Sequence, residues 1–194
     1  FIVGNPPYMG KPRQREAFGD GYVEALRSAY SEVPESADYV MYWWYRAALA
    51  VASGRTVRAG LITTNTMTQA QNRVILDRVA EKGARVAWAV ADHPWVDEVG
   101  SAAVRVAMTV LEREPSSGTA VVVDGAGNVI QELRVPALNS DLTAHADVAS
   151  AAKTPLLANA GMCYHGFILI GSGFKVKEGE ALQLRAMDVC HESI

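Results

Sequence analysis

The chain has 194 residues, with 18 basic and 21 acidic side chains giving a formal charge of −3. With 49% hydrophobic and 20% charged residues it reads as a folded globular chain, neither disordered nor of low complexity. The slight acidity argues against a freestanding basic nucleic-acid binder, though not against an enzyme that touches nucleic acid through a local patch. No apolar run approaches the roughly 18–20 residues of a membrane span, because Arg58, Arg85 and Arg105 interrupt the longest ones. The two cysteines, Cys163 and Cys190, lack CxxC spacing, so neither a disulfide framework nor a zinc site is indicated, and a reducing cytoplasm is the default.

In chain order, residues 1–3 read as a strand already under way, with no Met and no charged leader before it, so the chain is expected to be a piece of a longer polypeptide. Pro6 and Pro7 end that strand, since neither can donate a ladder hydrogen bond. A polar stretch over 11–20 leads to a helix over 22–30. Ser36-Ala37-Asp38 then caps an apolar-periodic helix over 39–52 that stops at Gly54. A buried strand is expected over 58–63, a helix over 69–82 closed by Gly83, and a strand over 85–91. An irregular loop over 92–100 precedes a β-branched strand over 101–112. The order strand, helix, strand, helix, strand, strand predicts an α/β sheet whose final strand runs antiparallel.

After Arg113 the character changes. Residues 115–118 connect to two strands, 119–123 and 128–135, that flank Asp124-Gly125-Ala126-Gly127 as a hairpin. A polar stretch over 136–152 includes a short helix near 146–152. The glycine-punctuated end, with Gly161, Gly166, Gly171 and Gly173, reads as the start of a second, small mixed α/β module. The boundaries drawn are 1–113, 114–154 and 155–194.

Asn5-Pro6-Pro7-Tyr8, directly after the first strand, carries the chemistry. The prolines stiffen a tight loop so that the Asn5 side chain and the Pro6 carbonyl can point the same way. An amide oxygen plus a backbone carbonyl makes two acceptors, matched to the two N–H donors of an exocyclic amino group. Accepting both hydrogens draws the nitrogen out of conjugation and turns its lone pair toward an electrophile. Tyr8 offers a flat face on which a base lifted from the duplex can stack, and lifting is required because the reacting atom is otherwise buried in the stack.

The tetrapeptide resembles the catalytic motif of S-adenosylmethionine-dependent amino-group methyltransferases, especially those acting on N6 of adenine in DNA. Further stretches are similar to large bacterial single-chain restriction–modification enzymes of the type IIL kind: Gly19-Asp20-Gly21-Tyr22, Ser36 to Trp44, Gly60-Leu61-Ile62-Thr63-Thr64-Asn65, Asp92-His93-Pro94-Trp95 and Ala102 to Val110. The resemblance covers about residues 1–112 well and the remainder more loosely. It implies the C-terminal half of a Rossmann-like methyltransferase sheet, followed by the start of a target-recognition region. The reaction it implies is methyl transfer from S-adenosylmethionine to a flipped adenine in double-stranded DNA. In such families the donor is held by a glycine-rich turn on an earlier strand, so the main donor site is expected upstream of Phe1, in the remainder of the polypeptide. Gly171-Ser172-Gly173 is only a weak match to such a turn.

Four further residues are singled out for substrate contact. The resemblance places a second base-stacking aromatic in the 92–100 loop, where Trp95 is the candidate, and simple packing is the other reading of that residue. Lys11 and Arg13, with Arg15, either contact phosphates or form a solvated basic stretch. Asn65 either lines the pocket or caps the next helix. His93 is read as a loop hydrogen-bonding residue. Two other readings stay open: a protein glutamine-N5 methyltransferase, whose carboxamide substrate presents the same two donors, and a non-catalytic recognition module.

Overall fold

The first strand, β1 (Ile2–Gly4), stops where Asn5 and the two prolines begin. The computed structural model describes residues 1–95 and 104–146, together with positions 157, 161, 162 and 179. The chain divides into two units, Phe1–Lys153 and Thr154–Ile194, and every element named below belongs to the first. After β1 come α1 (Lys11–Phe18), α2 (Asp20–Ala29), α3 (Tyr39–Ala52), β2 (Arg58–Thr64), a 3₁₀ turn (Asn65–Thr68) and α4 (Ala70–Glu81). Then follow β3 (Ala84–Trp95), β4 (Val104–Arg113), β5 (Gly118–Val123) and β6 (Val129–Val135). Among the described residues no helix is long and apolar enough to cross a membrane.

The strands form one mixed sheet in the order β1-β2-β4-β3-β5-β6. β1 pairs parallel with β2, and β3 parallel with β5. The expected antiparallel strand is β4, and it is inserted between β2 and β3, antiparallel to both. The hairpin also forms, and it continues the same sheet, with β6 antiparallel to β5.

Alternation along β2 and β4 explains which face is covered. Ala59, Leu61 and Thr63 are buried on β2, and Ala107, Thr109 and Leu111 on β4, in register with one another. Against them α3 buries Val40, Met41, Trp44, Ala47, Ala48 and Val51, and α4 buries Ile75, Leu76 and Val79. Among the described residues one polar bond crosses this interface. The Trp44 indole Nε1–H donates to Thr109 Oγ1 at 3.0 Å, and both residues are almost wholly buried.

Two segments differ from the sequence-based expectation. Residues 11–18 form α1, where a polar stretch was expected. Pro12 falls in the first turn, where a missing N–H costs nothing, and the helix has no apolar stripe. Its buried residue is Gln14, whose Nε2 donates to the Ala37 carbonyl at 3.1 Å. A helix anchored by one buried amide leaves no periodic signal. The second difference is at 92–95, expected as loop, where β3 runs on to Trp95. Two register shifts, between Val86 and Trp88 and between Val90 and His93, absorb the irregular sequence. The rest of that loop (96–100), the first residues of the expected strand (101–103), the short helix over 147–152 and most of the second module lie outside the described residues. So do Gly171-Ser172-Gly173 and both cysteines.

The buried Trp44–Thr109 bond yields a stability prediction. Thr109→Val keeps the shape but strands a buried indole N–H, which should cost about 1–3 kcal/mol in denaturant unfolding. Thr109→Ser, which keeps the hydroxyl, should recover part of the loss. Equal stability of Thr109→Val and the parent chain would remove the bond from the account.

Candidate functional site

Strand direction gathers the site. β1, β2, β3 and β5 all finish at one end of the sheet, and antiparallel β4 begins there. Ligands of open α/β sheets bind at such carboxyl ends. β1 leaves the sheet at Gly4, opposite Leu61, while β2 continues to Thr64. The motif loop therefore starts below the rim formed by the end of β2.

Within that loop the Tyr8 hydroxyl donates to Asn5 Oδ1. Its ring is half-buried against the core, and burial pushes the phenol pKa up, opposed by the Asn5 bond. The loop exit is pinned as well. The Tyr39 N–H, in the first turn of α3, donates to the Met9 carbonyl at 2.9 Å. The preceding residue, Asp38, accepts from the Thr66 hydroxyl at 2.6 Å and from Asn72 Nδ2 at 3.4 Å. Asn72, fully buried, also donates to the Thr66 carbonyl at 2.9 Å. The motif loop, the start of α3 and the turn after β2 are thus one connected polar unit.

A second unit joins β2, β4 and β3. Val90 stands opposite Met108 and His93 opposite Val106, which leaves Ala91 and Asp92 facing Ala107 alone. This bulge re-aims Asp92. Its Oδ1 accepts from Arg105 Nε at 2.5 Å and from Asn65 Nδ2 at 3.2 Å. The Arg105 hydrogen bond and charge, with a smaller contribution from Asn65, hold the carboxyl below its ordinary pKa despite some desolvation. Next to it, His93 Nδ1 lies 2.7 Å from the Pro94 carbonyl. The His93 ring packs on Gly127, where a Cβ would fall 3.0 Å from ring atoms and where φ is +90°. Glycine is required there, and it seats the hairpin turn beside the end of β3.

Of the residues singled out from the sequence, Asn5 and Tyr8 touch, with Pro6 and Pro7 between them. Trp95 is 41% exposed at the end of β3. It stands three strand steps from β1, about 14 Å at the usual interstrand spacing, so it does not contact Tyr8. Asn65 does not cap the next helix: Gln69 occupies the N-cap of α4 without a side-chain capping bond, and the Asn65 amide goes to Asp92. Lys11 and Arg13 are exposed in α1 beside the motif loop, whereas Arg15 is engaged by Asp20 and Glu24 at 2.5 Å each. Asp92, Arg105, Thr66 and Asn72 were not singled out beforehand. Their roles depend on strand order and a bulge, neither of which has a sequence spacing.

The profile of the MmeI DNA-methyltransferase domain matches residues 1–122. The chain belongs to this family. Among solved structures, the type IIL restriction–modification enzyme MmeI in complex with DNA is similar, with a TM-score of 0.64 and 22% identity. The match covers 76% of this chain and 20% of that one, so the chain spans about a fifth of that relative's length. At this identity the likeness concerns the fold. None of the curated proteins compared with the chain matches it. In this MmeI-family sheet, no glycine-rich turn joins a strand to a helix at the site end among the described residues.

The first polar unit makes a prediction. Asp38→Ala removes the carboxylate that accepts from both the Thr66 hydroxyl and the Asn72 amide, leaving them the Thr64 hydroxyl and the Thr66 carbonyl, and should cost about 1 kcal/mol. Amide hydrogen exchange should accelerate together at 8–10 and 65–68. Acceleration confined to the first turn of α3 would contradict the coupling.

Proposed function

We propose that the chain carries the amine-holding part of a DNA methyltransferase of a restriction–modification system, acting on N6 of a flipped adenine. The supporting observation is the position of Asn5-Pro6-Pro7-Tyr8 at the carboxyl end of β1 in a chain of the MmeI DNA-methyltransferase family. Asn5 Oδ1 accepts from the Tyr8 hydroxyl, which supports its reading as an acceptor for an amine hydrogen.

In this reading the Tyr8 hydroxyl stands in for one N–H of the substrate amine. When the base arrives, its amino group replaces the hydroxyl on Asn5 Oδ1 and gives its second hydrogen to the Pro6 carbonyl. The freed Tyr8 ring stacks on the base. Two fixed acceptors favour the nitrogen as positive charge develops on it, so they stabilise the transition state more than the ground state. S-adenosylmethionine supplies the methyl group, and the residues that chiefly hold it belong to the remainder of the polypeptide.

Other features support the same reading. The exposure of Trp95 at the end of β3 supports its reading as a second stacking face. Lys11 and Arg13 lie where they can contact phosphates beside the motif. MmeI was solved in complex with DNA, which supports DNA as the partner. β1 is an edge strand with Phe1 and Val3 at least 85% exposed, which supports further strands of the same polypeptide pairing there. The catalytic part corresponds to 1–113 and target recognition begins at 155, in a cytoplasmic protein. A glutamine side chain presents the same two donors, but the family assignment favours DNA.

In the intact protein, Asn5→Ala should lower single-turnover methylation about 10²–10³-fold and leave DNA affinity nearly unchanged. Parent-like rates would sink the assignment. Tyr8→Ala should lose a stacking contact worth roughly 1–3 kcal/mol, seen as a weaker rise in 2-aminopurine fluorescence at the target position. Tyr8→Phe should keep that signal, because it keeps the ring and uncaps Asn5. If Tyr8→Phe behaves like Tyr8→Ala, the hydroxyl and not the ring is what the site uses.

A further inference from the structure

Among the described residues the Asn65 amide has one end engaged and the other without a partner, and Asp92 decides which is which. An ionised carboxylate can only accept hydrogen bonds, so the amide end facing it must be the NH2. The Asp92 carboxylate is bound by Arg105 as well, which fixes its charge and its direction. Asn65 Nδ2 lies 3.2 Å from Asp92 Oδ1. The other end, Oδ1, has no partner among the described residues, and the side chain is half-buried at the rim of the sheet.

The backbone beneath Asn65 is equally constrained. Its carbonyl accepts from the Thr68 hydroxyl at 2.8 Å, and Thr64 and Thr66 join their hydroxyls across it at 2.6 Å. Thr66 is tied in turn to Asp38 at 2.6 Å. With the turn held on both sides, rotation of the amide is the remaining freedom, and Asp92 removes it.

We propose that Asp92 is a positioning residue that holds the Asn65 carbonyl oxygen toward the bound DNA, making Asn65 a specificity-determining acceptor for an amino group on a base beside the target. This rests on the function proposed above. Both hydrogens of the target amine are taken by Asn5 and Pro6, and adenine has no other N–H on its edges once it is joined to its sugar. The hydrogen that Asn65 accepts therefore belongs to a neighbouring base. In the major groove adenine and cytosine offer an amino donor, whereas guanine and thymine offer acceptors there. Asn65 held by Asp92 favours the first pair at that position. An amide turned end for end favours the second.

The test is methylation of a DNA library randomised at the positions flanking the target adenine, read by sequencing, with the intact protein. Asn65→Ala and Asp92→Asn should both relax the preference for adenine or cytosine at one flanking position about tenfold, within the range for a base-edge contact, with methylation still at adenine. The double variant Asp92→Arg with Arg105→Asp restores an ion pair but places a donor against Asn65. It should regain thermal stability and shift the preference at that position toward guanine or thymine. An unchanged flanking preference in Asn65→Ala would overturn the proposal, as would a double variant that returns to the parent preference. Since Asn5 is intact in all these variants, loss of the flanking preference is separable from failure of the methyltransferase reading, which Asn5→Ala tests.

Discussion

The pairing that locks β4 antiparallel between β2 and β3 sets the geometry of everything at the site end. It spreads the ends of β2 and β3 apart by one strand and fills the gap with Val104–Val106, the residues on which β4 begins. Arg105 arrives at the rim for that reason, between Asn65 on one side and Asp92 on the other. The same insertion puts Trp95 on the far side of β4 from the motif loop. A sheet with β2 and β3 adjacent would bring Trp95 one step closer to Asn5 and leave no place for Arg105.

The two ends of this architecture are held by different forces. Below, helices α3 and α4 bury an apolar face of the sheet, with Trp44 and Thr109 as the polar bond inside it. At the rim, polar groups take over: Asp38, Thr66 and Asn72 behind the motif loop, and Asn65, Asp92 and Arg105 beside it. Asp92 and Arg105 are both over 40% exposed, so their ion pair contributes little to stability. What such a pair supplies is direction. It determines which end of the Asn65 amide is engaged.

Much of this was legible in the sequence, for local reasons. The stop after β1, the apolar helix α3, the strand and helix up to Gly83 and the Asp124–Gly127 hairpin each carry their signals within a few residues; Asp38 stands at the start of α3 but makes no capping bond there. Asn5 and Tyr8 stood out because the amine-holding chemistry proposed for them needs a specific tetrapeptide. What was not legible is non-local. α1 stays ordered through one buried amide, Gln14, reaching a carbonyl in the segment before α3. β3 runs through Asp92-His93-Pro94 because β4 pairs beyond the bulge. Asn65 reads equally well as a cap or a pocket residue until the bulge brings Asp92 to it.

The most direct measurement of the central claim is the structure of the intact protein bound to duplex DNA containing its target adenine. The account predicts the adenine outside the helix, its amino nitrogen within about 2.7–3.2 Å of both Asn5 Oδ1 and the Pro6 carbonyl, and the Tyr8 hydroxyl no longer on Asn5. An adenine that remains stacked in the duplex, or an extruded base whose amino group binds elsewhere while Tyr8 stays on Asn5, would contradict it.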